Sequence, residues 1–155
     1  MTHTKLIIER KFDAPIDRVW HAFTTPEILA TWWSPAGMSN CHASTDLRRG
    51  GDFRYCFESG GAKYWGKGVY QSIEEPDHFS YIDYFTDEDG NPVAPSHYGI
   101  PGDEIVPTLV EFAFTDEGEK TGLRMTGDNP FDAAMTEEMT RGWNSMFDKL
   151  VDALK

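Results

Sequence analysis

Asp83 sits in a run where it shares a phase with Phe79, Tyr81 and Phe85. Residues two apart in an extended chain point the same way. This carboxyl is therefore a candidate to face an apolar space. In such a space its charged form loses hydration and its pKa rises, the usual mark of a functional acid or base. The plainer alternative is a twist or bulge that turns it to solvent. Glu111 alternates against Val110 and Phe112 and is expected to point outward. His97 and Tyr98 fall in a Pro-rich stretch and could close over a cavity mouth, although a loop histidine is more often simply solvated. Other chemistry has less support. His3, His21, His42, His78 and His97 are scattered, with none paired at metal-ligand spacing. Cys41 and His42 are adjacent, and neighbours on a strand face opposite sides. There is no GxSxG elbow, and Gly50-Gly51 and Gly60-Gly61 lack the spacing of a phosphate loop. No metal, no cofactor and no catalytic residue is assigned.

The aromatic residues carry the stronger signal. Ten Phe, five Trp and six Tyr make 21 of 155 residues, and each buries roughly 150–250 Å² when packed. The candidate cavity wall is Trp33; Phe53, Tyr55 and Phe57 on one strand; Trp65 on the next; Phe79, Tyr81, Asp83 and Phe85; and Phe112 with Phe114. The last helix adds Met135, Met139, Trp143, Met146 and Phe147. Small-molecule sites are mostly apolar and aromatic with a few polar groups. A well-filled ordinary core is the competing explanation, and a Met stripe is more often core than ligand wall.

The elements that must position these residues are legible from periodicity. Thr4 to Phe12 reads as a strand. Ile16, Val19, Trp20 and Phe23 form one helical face, with Pro15 suited to the first helical position. Thr25-Pro26-Glu27 reads as a cap hydroxyl, Pro and a dipole-favoured acid, opening a short second helix that ends near Trp32-Trp33. Strands are expected around Phe53–Phe57, Tyr64–Ile73, His78–Phe85, Thr108–Phe114 and Gly122–Thr126, with Trp65 to Ile73 in one alternating register. Asp87 to Pro107 holds four prolines and three glycines and is expected to be a long loop. Asp132 to Lys155 has no Pro and steps its apolar residues by three and four, a long helix. An antiparallel meander covered on one face by that helix is a two-layer α+β domain over residues 1–155.

Composition limits the partners. The formal charge is −12, and no Lys or Arg lies between Lys67 and Lys120, where 13 of the 26 acids fall. Nucleic acid and anionic membranes are disfavoured, because phosphate binding rests on Lys and Arg. No signal-like h-region or membrane-length apolar run is present in the sequence. Two isolated cysteines, Cys41 and Cys56, suit a reducing, cytoplasmic setting, with one disulfide between them as the alternative.

Several strings resemble the START-like (SRPBCC, helix-grip) superfamily. More narrowly, the chain resembles homologues of the heat-shock-protein-90 ATPase activator C-terminal domain. The strings are Arg10-Lys11-Phe12-Asp13-Ala14-Pro15 leading to Val19-Trp20 and Ala22-Phe23, then Pro26-Glu27 and Trp32-Trp33. Asp46-Leu47-Arg48-Arg49-Gly50-Gly51, Gly68-Val69-Tyr70, Glu75-Pro76, Thr121-Gly122-Leu123-Arg124-Met125 and Gly142-Trp143 follow in order. The usual Thr-Arg-Leu step appears here as Thr121-Gly122-Leu123-Arg124. The resemblance implies a curved antiparallel sheet wrapped around a long C-terminal helix, with two short helices after the first strand and a cavity between sheet and helix. It carries over no catalytic motif. The expected function is binding of a hydrophobic or aromatic small molecule, neutral or cationic rather than anionic. The alternatives are a cyclase-type enzyme using the same pocket, and a chaperone-linked interaction module using the acidic middle. Exposed tryptophans would suit a homodimer.

Overall fold

The computed structural model describes residues 4–129 and 132–155; His3 lies outside them. The chain runs β1 (Thr4–Phe12), α1 (Ile16–Thr24), α2 (Pro26–Trp32), β2 (Ser39–Thr45), β3 (Asp52–Ser59), β4 (Ala62–Glu74), β5 (His78–Thr86), β6 (Thr108–Glu117), β7 (Lys120–Asn129) and α3 (Ala133–Ala153). The strands form one curved antiparallel sheet in the order β1-β7-β6-β5-β4-β3-β2, with β1 closing back beside β7. The helices cover one face of it.

The core follows from the two periodicities. α1 buries Ile16, Val19, Trp20 and Phe23, the face read from the sequence. The inner side of the sheet meets it with Phe79, Phe112 and Phe114, all buried. The Trp20 ring lies edge-on to Phe79 at 5.7 Å, and Phe23 packs 5.1 Å from Phe112. The Trp32 indole N–H donates to the Ala22 carbonyl at 2.9 Å, which fastens α2 to α1. Such pairs add specific geometry to the area they remove from water.

Several local expectations are corrected. Pro15 is the cap residue before α1, not its first helical position. Thr25 caps α2 with its backbone carbonyl, which accepts from Ile28 and Leu29; its hydroxyl makes no capping bond. β2 has no counterpart in the expected strands. Its sequence, Ser-Asn-Cys-His-Ala-Ser-Thr, lacks apolar alternation because it is an edge strand paired only with β3. The single register from Trp65 to Ile73 breaks at a bulge between Tyr70 and Ser72, which puts Ile73 opposite Phe79. A bulge inserts one residue and swaps the faces beyond it.

Cys41 and Cys56 are not free thiols. They form a disulfide between the β2 bulge and β3, with Cα atoms 5.2 Å apart. The cysteine count therefore gives no ground for a reducing compartment. No helix among the described residues is long and apolar enough to cross a membrane. None of the five tryptophans is exposed: Trp20, Trp32 and Trp33 are buried, and Trp65 and Trp143 half-buried. The surface feature offered for a homodimer is absent.

Candidate functional site

Asp83 points inward. β5 keeps strict alternation, so Phe79, Tyr81, Asp83 and Phe85 share the inner side. The Tyr55 hydroxyl donates to Asp83 Oδ1 at 2.7 Å. The two residues sit on β3 and β5, with β4 between them. Neighbouring strands are about 4.8 Å apart, so this bond spans about 9–10 Å of sheet. The inner side of β4 makes it feasible. Gly66 and Gly68 present no side chains there. A Cβ at Gly66 would lie 2.4 Å from the Tyr55 ring, and one at Gly68 2.6 Å from the Tyr81 ring. The two glycines are the gap across which Tyr55 reaches Asp83.

Burial is the main influence on this carboxyl and raises its pKa to about 7; the Tyr55 hydrogen bond opposes this and only partly offsets it. As a residue Asp83 is half-buried, so it keeps access to solvent. Burial first, and then the nearby Asp83 charge, push the Tyr55 phenol well above its ordinary value. At neutral pH the pair therefore comprises a neutral phenol and a carboxyl near its midpoint. Such a carboxyl can donate a hydrogen bond, accept one, or carry a charge.

Asp83 opens into a cleft of about 370 Å³ between the sheet and the first half of α3. Of the expected wall, Trp33, Tyr55, Phe57, Tyr81 and Phe85 line it from the sheet and α2 side. Met135, Met139, Trp143 and Met146 line it from α3. The rings form a continuous surface: Trp33 is 6.0 Å from Tyr55 and 5.5 Å from Trp143, and Tyr55 is 5.2 Å from Phe57. Phe53, Phe79, Phe112, Phe114 and Phe147 are instead packed core behind this wall. The space is an open cleft backed by this packed core.

Trp65 does not join them. It pairs with Cys56 on the outer side of the sheet, 5.4 Å from the His42 ring and beneath the Arg54 guanidinium at 5.2 Å. The signal was in the sequence, since Trp65 shares its phase with Lys67 and opposes Gly66 and Gly68. Three lining residues were not anticipated: Pro35, Glu138 and Gly142. Glu138 is exposed at the rim. Pro35 is held by Lys149, whose ammonium donates to Ser34 Oγ and to the carbonyls of Pro35 and Met38 at 2.8–3.1 Å. Three acceptors match the three ammonium donors. Burial lowers the Lys149 pKa.

The Asp87–Pro107 loop is not a cover over this cleft. It carries a 3₁₀ turn at Pro95–Tyr98, and its start is tied by Arg54 donating to the Glu88 carbonyl at 2.7 Å. The Tyr98 hydroxyl donates to the Thr86 carbonyl and accepts from the Trp65 amide, inserting between the last paired residues of β4 and β5. Its ring lies against Tyr64 and Phe85, outside the lining. Glu111 takes a hydrogen bond from Thr126 on the outer side. Among the described residues no group of three or more His, Cys, Asp or Glu could hold a metal ion.

The sequence matches the family described as "Activator of Hsp90 ATPase homolog 1-like protein" over residues 13–155. The chain belongs to this family. Solved structures agree on the fold. A Chromobacterium violaceum protein superposes with a TM-score of 0.79 at 24% identity, covering 97% of this chain and 96% of that one. A Mycobacterium smegmatis protein gives 0.74 at 25% identity, covering 99% and 91%. The AHSA1 protein of Silicibacter pomeroyi gives 0.75 at 20% identity, covering 97% of each. A search of curated proteins found no match. The helix-grip architecture expected from the residue strings is therefore the fold of this AHSA1-like chain.

Proposed function

We propose that this AHSA1-like protein binds a small molecule with an aromatic or apolar body in the cleft between the sheet and the first half of α3. The observation that carries this reading is the composition of the cleft. Six aromatic rings and three methionines surround about 370 Å³, with one half-buried carboxyl among them. Ligand sites of this size combine an apolar lining with few polar groups, and methionine adapts its shape to varied ligands.

Gly142 supplies the test. It lines the cleft from α3, and a Cβ built there meets nothing within 4 Å. The Cβ of Gly142→Leu has open space, so the added side chain is expected to project over the cleft wall, and replacing a helical Gly favours the helix by up to about 1 kcal/mol. Neutral 2-naphthaleneethanol should bind the natural protein in a calorimetric titration and raise its melting temperature. Gly142→Leu should keep the fold and weaken that binding at least about tenfold, or roughly 1.4 kcal/mol. Undetectable binding to the natural protein, or equal binding to the plugged variant, would overturn the proposal.

A further inference from the structure

The charges around the cleft are one-sided. Its two ionisable carboxyls are Asp83, at the β5 wall, and Glu138, on the α3 rim. No Lys, Arg or His is among the described residues that line it. Of the 13 acids between Lys67 and Lys120, Asp83 is the one that lines the cleft. Tyr55 occupies only Oδ1 of Asp83. A carboxylate has two oxygens and about four acceptor sites, so its capacity is not exhausted by that bond. The neighbouring walls are the faces of tyrosine and tryptophan rings, whose quadrupoles attract cations.

We infer that the preferred ligand carries a basic nitrogen on its aromatic or apolar body, with the protonated amine paired to Asp83 and ringed by Tyr55, Tyr81 and Trp143. This rests on the cleft reading above and names the ligand class. The ion pair explains an otherwise costly arrangement. A carboxylate among rings loses hydration, and a desolvated cation brought against it restores a partner through a charge-assisted hydrogen bond. The groups that face Asp83 are the Tyr55 phenol from β3, the Tyr81 phenol from its own strand and Glu138 across the cleft on α3; glycines face it from β4. The phenols stay neutral through the physiological range, since burial raises both. The pH response of amine binding is therefore assigned to Asp83.

Three probes share one ring system: 2-naphthaleneethylamine, 2-naphthaleneethanol and 2-naphthaleneacetate. At pH 8, calorimetry with the full chain should rank amine above alcohol by about tenfold or more, with the carboxylate weakest. The preference should shrink at pH 5, where Asp83 holds its proton. Asp83→Asn should lower the amine far more than the alcohol and bring the two together, while alcohol binding that persists separates charge recognition from damage to the cleft. Glu138→Gln should reduce the preference only slightly, because an exposed charge is screened. Alcohol binding equal to or tighter than amine at pH 8 would overturn the inference while leaving the cleft reading intact. So would a preference that survives Asp83→Asn. Absence of binding by all three would overturn both.

Discussion

The two halves of α3 carry the same apolar step of three and four residues but meet different neighbours. The second half turns Phe147 and Leu150 into packed core, with Met146 buried where that core meets the cleft. Phe147 touches the rings of Phe12, Phe23 and Trp32. Polar ties fix that half from outside: Arg10 donates to Asn144 and Asp148, and Arg18 donates to the Leu154 carbonyl at 2.6 Å. The first half is held by the Asp132 cap and by Asn129 donating to Thr136. Its Met135, Met139 and Trp143 stay half-buried over the cleft. One apolar stripe along one helix thus has a fastened end and an open end. What differs is the side chain opposite: phenylalanine and tryptophan fill the space in one case, while Asp83 and two glycines leave it in the other.

The contrast can be broken most strongly at Phe147. Phe147→Ala should cost about 3–5 kcal/mol, read from chemical denaturation, because a fully buried ring leaves a void. A loss comparable to that of a surface residue would mean that the second half of α3 is not core.

Asp83→Asn should act in the opposite direction on the open side. The folded-state pKa of Asp83 lies above its ordinary 3.8, at about 7. The folded protein therefore holds this proton more tightly than the unfolded chain. Its contribution favours folding at low pH and is lost as pH climbs through about 7. Asn cannot ionise, so the variant should match the natural protein near pH 4 and exceed it at pH 8. A gap of about 1–3 kcal/mol is expected, after discounting for the water that reaches a half-buried group. Melting curves at the two pH values check it; a variant less stable at pH 8 would remove the desolvated carboxyl from the account.

Met139→Ala should have the smallest effect, under about 1 kcal/mol, because a cleft wall already in contact with water has little burial to lose. A cost near that of Phe147→Ala would show that the cleft is closed in solution.

The sequence made the fastened side readable and the open side only partly so. β1 follows from its β-branched, apolar run and the face of α1 from helical spacing, and the residues α1 buries include the four expected. The wall residues of β5 follow for the same reason. What periodicity cannot express is a bond across an intervening strand. The Tyr55–Asp83 contact depends on Gly66 and Gly68, whose meaning is the side chains they lack. Trp65 is aromatic but shares its phase with Lys67, and the phase decides its side of the sheet. Ile73 departs from the alternation of Trp65 and Val69 because a one-residue bulge leaves no mark in the sequence before the strands are paired. β2 escaped because an edge strand with little to bury has no apolar pattern to show.

That edge has a consequence beyond the binding site. A sheet that ends in a strand offers unpaired amides and carbonyls to any other chain, which is how soluble proteins begin to aggregate. β2 is a poor template for such growth. It is short and polar, irregular at Cys41, and covalently pinned to β3 by Cys56. The bond that pins β2 to the strand carrying Tyr55 and Phe57 also blunts the rim of the sheet, so one crosslink both anchors that strand and makes its edge a poor template for growth.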